Sequence, residues 1–194
     1  LFGHMYVAPA IVRFLQRYDK MRCSVLLHDR TVNLLEEGID VGIRISPLED
    51  SSLVAQQLGS IRRVVVASPA YLRQHGTPRH PRELSKANCV RIHPAAPVHF
   101  RENARSFAVA PKGNLEFNHI APAVEACAAG LGFGMFFSYQ VQPFVAEGRL
   151  AIVLEDFELE PRPVSVIYPH ARLLPARTRA FIDWMKNEFE GMRI

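Results

Sequence analysis

An α/β fold follows from three observations on the chain. Helical and strand-like hydrophobic periods alternate along nearly its whole length, which is the order expected when helices cover a sheet. Short apolar runs such as Val25-Leu26-Leu27 and Val64-Val65-Val66 suit strands buried on both faces of a sheet. Proline and glycine punctuate the changes from one period to the next. With 194 residues the chain can form one domain or two small lobes, each with its own core. A composition break between about Ser68 and Pro81 suggests two.

Each element has its own signal. Pro9 suits a first helical turn, and Ile11, Phe14, Leu15 and Tyr18 recur with helical spacing. Residues 21–28 are expected to form a strand around Val25-Leu26-Leu27. Asp29 can cap a second helix, with Val32, Leu34 and Leu35 on its apolar side and Gly38 at its left-handed end. Residues 39–45 are apolar at every second position, a strand that opens onto the hydroxyl-rich loop 46–52.

Residues 61–67 read as another strand, closed by Ser68-Pro69, and a helix over 70–75 stops at Gly76. A short helix at 81–84 precedes strands at 89–92, 98–101, 106–110 and 115–117. Asn118 is expected to cap a helix running to about Ala129. Gly130-Leu131-Gly132 breaks it, and 133–137 forms the next strand. A helix over 138–147, strands at 150–154 and 164–168, and a last helix over about 176–189 complete the series.

Composition narrows the function classes. The chain is 48% hydrophobic and 22% charged, as globular proteins are, and its net charge of +4 is scattered rather than clustered. That is too sparse for a nucleic-acid footprint. Three cysteines form no CxxC pair and are odd in number, so a disulfide framework is not implied and a reducing compartment is expected. No apolar run reaches the length of a membrane span, and residues 1–12 do not read as a signal peptide; we expect a cytoplasmic chain without a membrane partner. GxSxG, GxGxxG, Walker and HExxH motifs are lacking, so neither catalysis, cofactor nor metal is expected.

Several stretches together carry a family likeness. They are Phe14-Leu15-Gln16-Arg17-Tyr18, then 34–45 (LLEEGIDVGIRI), Leu53-Val54-Ala55, and 66–72 (VASPAYL) with His75-Gly76-Thr77-Pro78. Ala128-Ala129-Gly130-Leu131-Gly132-Phe133-Gly134, Gly148-Arg149-Leu150 and Arg179-Ala180-Phe181-Ile182-Asp183 follow in order. In these the chain resembles the effector-binding (substrate-binding, regulatory) domain of LysR-type transcriptional regulators. The resemblance implies a periplasmic-binding-protein-like (type II) fold of two Rossmann-like α/β lobes with an interlobe cleft. Lobe I would hold 1–68 plus 164–194 and lobe II 69–163. It also implies a winged helix-turn-helix and a first strand before Leu1, a small-molecule effector, and a homodimer or tetramer. DNA would be reached only through that N-terminal module. A periplasmic-type solute-binding protein is the alternative.

Carried over position by position, the resemblance places the effector against Phe2-Gly3, Asp29-Arg30-Thr31, Ile45-Ser46, Ser68-Pro69, Asn118-His119 and Phe136-Phe137. The residue types agree. Helix starts offer unpaired N–H groups to an anion, hydroxyls orient it, and a phenyl ring walls it. Plainer roles compete at each position. Asp29 and Asn118 can serve only as caps, Arg30 can point to solvent, Ser68 can start a turn, and one of Phe136 and Phe137 belongs to the core. Phe136-Phe137-Ser138-Tyr139 departs from the proline many members carry there and crowds that wall with aromatics.

Overall fold

A computed structural model describes residues 1–28, 30, 32–46, 52–170, 174–190 and 192–193. The chain divides into two compact units, Leu1–Ile61 with Arg162–Arg193, and Arg62–Pro161.

In the first unit a π-helical turn at Gly3–Val7 continues into α1 (Ala8–Arg17). Ile11 and Phe14 are buried, as their spacing predicts. Four strands form its sheet in the order β1 (Gly42–Ile45), β10 (Arg162–Pro169), β2 (Leu53–Ile61) and β11 (Met192–Arg193). β10 pairs antiparallel with both β1 and β2. α5 (Ala176–Phe189) packs on α1, burying Ile182, Met185 and Phe189. Trp184 Nε1 donates to the Ala10 carbonyl at 3.0 Å. Rings from both helices close the contact, with Phe14 lying 5.2 Å from Phe181 and 5.9 Å from Trp184.

Two expected elements of this unit do not form. Residues 21–28 make no strand, and Leu26 and Leu27 are 58% and 54% exposed. A strand exists only where a neighbour satisfies its backbone, and the sheet of this unit, β1-β10-β2-β11 among the described residues, does not take these residues in. The expected helix from Asp29 shrinks to one turn begun by Asn33, whose side-chain oxygen accepts the Leu35 amide at 3.1 Å. Gly38 ends it with φ +65°, the left-handed geometry expected. Leu34 is buried there while Leu35 faces solvent.

The second unit is built on a mixed sheet in the order β7 (Leu115–Phe117), β4 (Cys89–Ile92), β8 (Phe133–Phe137), β3 (Arg63–Ala67) and β9 (Ala151–Val153). β4 runs parallel to β7 and β8, whereas β3 runs antiparallel to β8 and β9. Alternation along β3 sends Val64 and Val66 to one face, Val65 and Ala67 to the other. The first face packs under α3 (Ile120–Ala128) and α4 (Ser138–Ala146) through Val124, Cys127 and Val141. The second is covered by α2 (Pro69–His75), a 3₁₀ turn at Pro81–Ser85 and the hairpin of β5 (Val98–Glu102) and β6 (Arg105–Val109). Both faces are thus sealed, which explains the apolar runs.

Residues 62–68 therefore join the second unit rather than the first, because β3 finds its backbone partners in β8 and β9. Arg162 and Pro163 belong to the first, paired opposite Ile61 and Ser60. The expected strand 61–67 is also two strands, broken at Arg62.

Candidate functional site

The parallel strands β4, β7 and β8 all end at one rim of the second unit's sheet, at Ile92, Phe117 and Phe137. Their registers align those ends, and the His93 amide donates to the Phe117 carbonyl at 2.7 Å. Asn118 and His119 follow β7 and lead into α3; Ser138 follows β8 and opens α4. Carboxyl ends of parallel strands and starts of two helices thus meet at this rim, the arrangement that receives ligands in open α/β sheets.

The rim is chemically mixed. The ring of Phe137 stacks on Tyr139 with centroids 6.2 Å apart, giving an apolar side. Gln140 braces this pair: its Oε1 accepts the Phe137 amide at 3.0 Å and its Nε2 donates to the Tyr139 hydroxyl at 3.1 Å. Glu116 sits between Arg91, at 2.9 Å, and His93 Nδ1, at 2.8 Å, so its charge is opposed by a fixed guanidinium. Ser138 is buried, and both its amide and its hydroxyl donate to the Arg62 carbonyl, at 2.9 and 3.2 Å. The Arg62 guanidinium is bound by Glu158 and Glu155, hydrogen bonds that push its pKa further up.

Asn118, His119 and Phe137 all lie at this rim. Asn118 is not the cap of α3, however. The cap position is His119, one residue on, and neither side chain bonds the helix start. Phe136 points into the core among Val64, Val66, Val90 and Val124, so it is the core member of the aromatic pair.

Ser68 and Pro69 lie at the other rim. β3 is antiparallel to β8, so its carboxyl end falls beside the amino end of β8, near Gly130 and Asn88. Ser68 is buried, and its Oγ accepts the Tyr71 amide at 3.1 Å as the cap of α2. This is the turn-starting role, not a ligand contact at the rim of Asn118. Gly132 belongs to the same amino rim because a Cβ there would stand 2.2 Å from the Asn88 carbonyl oxygen.

In the first unit Phe2 is buried, stacked 5.2 Å from Tyr6 and tilted against Phe189 at 6.0 Å, a core position. Gly3 lies against Leu27, whose Cδ2 would be 2.6 Å from an added Cβ. Arg30 is exposed and pairs with Glu37 at 3.2 Å. Ile45 and Ser46 are half-buried at the end of β1, opposite Val164. Asp29 and Thr31 lie outside the described residues.

Sequence reasoning named Ser138 and Tyr139 only as part of the run crowding the aromatic wall, and did not single out Arg62 or His93 as members of the rim. The signal was available for three of them: a predicted strand followed at once by His93 in one case and by Ser138-Tyr139 in the other.

The LysR substrate binding domain family matches residues 1–190. This chain belongs to that family. Relatives agree: an uncharacterized HTH-type transcriptional regulator, YcaN of Escherichia coli (strain K12), is 28% identical across 95% of this chain and 62% of its own length. An HTH-type transcriptional repressor of Pseudomonas aeruginosa (strain UCBPP-PA14) is 33% identical across 94% of this chain and 59% of its own. The chain thus spans about three fifths of the curated relatives it matches. Among solved structures, full-length AphB, the Vibrio cholerae virulence activator, superposes with a TM-score of 0.84 at 25% identity, over 96% of this chain and 64% of that one. The CrgA regulatory domain of Neisseria meningitidis gives 0.77 at 26% identity, over 97% and 94%. The LysR-type domain has a periplasmic-binding-protein-like fold, and the regulator reading prevails over a free solute binder because the relatives are named as transcriptional regulators. No helix among the described residues is long and apolar enough to cross a membrane.

Proposed function

We propose that this LysR-type domain senses a small effector at the carboxyl rim of β4, β7 and β8, without turning it over. The convergence of three strand ends with the starts of α3 and α4 carries the reading. The helix starts favour a carboxylate or phenolate, and the Phe137–Tyr139 stack favours a flat apolar body. In the full-length regulator, a cytoplasmic homodimer or tetramer, the bound state is passed to an N-terminal winged helix-turn-helix that reads DNA.

A thermal-shift screen of small carboxylates and aromatic acids tests this. A specific binder raises the melting temperature. Asn118→Trp, a bulky change at an exposed position, removes the shift while leaving the unliganded melting temperature unchanged. A shift that survives Asn118→Trp but vanishes in Ser68→Ala would move the site to the other rim. Disappearance of the ligand on prolonged incubation would make the domain an enzyme.

A further inference from the structure

The second unit starts at Arg62 and ends at Pro161, and one side chain ties the two ends of this stretch. The Arg62 guanidinium takes both oxygens of Glu158, each at 2.8 Å, and one oxygen of Glu155 at 2.6 Å. Glu158 is well enclosed, its side chain only 14% exposed. A forked pair on an enclosed carboxylate holds geometry in a way that a single surface pair does not.

The same residue acts a second time through its main chain. Its carbonyl accepts the amide and the hydroxyl of Ser138, the first residue of α4. The next residue, Arg63, pairs in register with Phe137. Anything that fixes Arg62 therefore fixes the start of α4 and the end of β8 together.

We propose that Arg62 is a positioning residue for the carboxyl rim: its grip on Glu158 and Glu155 holds the carbonyl that orients Ser138. Its use in effector recognition rests on the function proposed above, but the link itself is made wholly by this chain's own residues. Glu155 and Glu158 lie just before the chain leaves this unit at Pro161, so the link also joins the rim to both points where the unit's chain begins and ends.

Residue-resolved amide hydrogen exchange on the unliganded chain tests the link, comparing wild type with Arg62→Gln, Arg62→Lys and Glu158→Gln. Both Arg62→Gln and Glu158→Gln should speed exchange at the Ser138 amide by on the order of tenfold, the effect of freeing one hydrogen bond. Exchange at Val90 in β4 and Val124 in α3 should stay at wild-type rates. Arg62→Lys keeps the charge but not the fork, and should fall between. Unchanged exchange at Ser138, or acceleration spread equally over Val90 and Val124, would overturn the proposal. Because no ligand is used, failure here leaves the effector site standing, and failure of the ligand screen leaves this link standing.

Discussion

Ser68 Oγ accepts the backbone amide of Tyr71 at 3.1 Å, and so closes the first turn of α2 at the amino rim of the second unit's sheet. Ser68→Ala should therefore cost about 1 kcal/mol, the usual loss of a helix cap. Chemical denaturation measures it. Ligand-induced thermal shifts should be unaffected, since Asn118 and Phe137 occupy the opposite rim.

The three cysteines should separate by reactivity. Cys23 is exposed, whereas Cys89 and Cys127 are buried on opposite faces of the sheet. Burial pushes their thiols up, Cys89 to about 11 and Cys127 to about 12. A thiol reagent at pH 8 should label one cysteine in the native chain and all three after denaturation.

The same shifts predict a loss of stability in alkali. Unfolded cysteines lose protons near the reference value of 9.0, before the folded ones do, so the unfolded state binds fewer protons as pH rises. Stability is fully present below that value and falls as pH climbs toward 11. Replacing Cys89 and Cys127 by alanine should flatten that slope, read from denaturation midpoints across the range.

Phe14 is 0% exposed and joins Tyr18, Phe181 and Trp184. Phe14→Ala should cost about 3–5 kcal/mol through lost burial and a cavity. The chain has one tryptophan, so its fluorescence reports on this cluster and should redden in the variant.

Gly132→Ala should destabilise by about 1–3 kcal/mol, because the new methyl meets a backbone carbonyl that cannot swing aside. The contact is the Asn88 oxygen, 2.2 Å from the ideal Cβ. Asn88 Nδ2 also donates to the Leu131 carbonyl and to Asn114, so the amino rim should loosen there first under hydrogen exchange.

Much of the second unit was legible in the sequence. Its strands are short apolar runs, and Gly76 and Gly130 mark helix ends with φ of +87° and +88°. The first unit was less so. β2 contains Gln56, Gln57, Gly59 and Ser60, which hide its strand period, and it is held by pairing with β10 more than a hundred residues away. Residues 21–28 have strand-like side chains but join no sheet among the described residues.

Local periodicity, capping residues and family motifs determined the α/β class, most element positions and the LysR-type identity, because each depends on neighbours within a few residues. Which residues share a rim depends on the direction in which a strand enters its sheet. β3 runs against β8, and that alone separates Ser68 and Pro69 from Asn118 and Phe137 while bringing Arg62 beside Ser138. Strand direction is set by long-range backbone pairing, so only the tertiary structure could decide it.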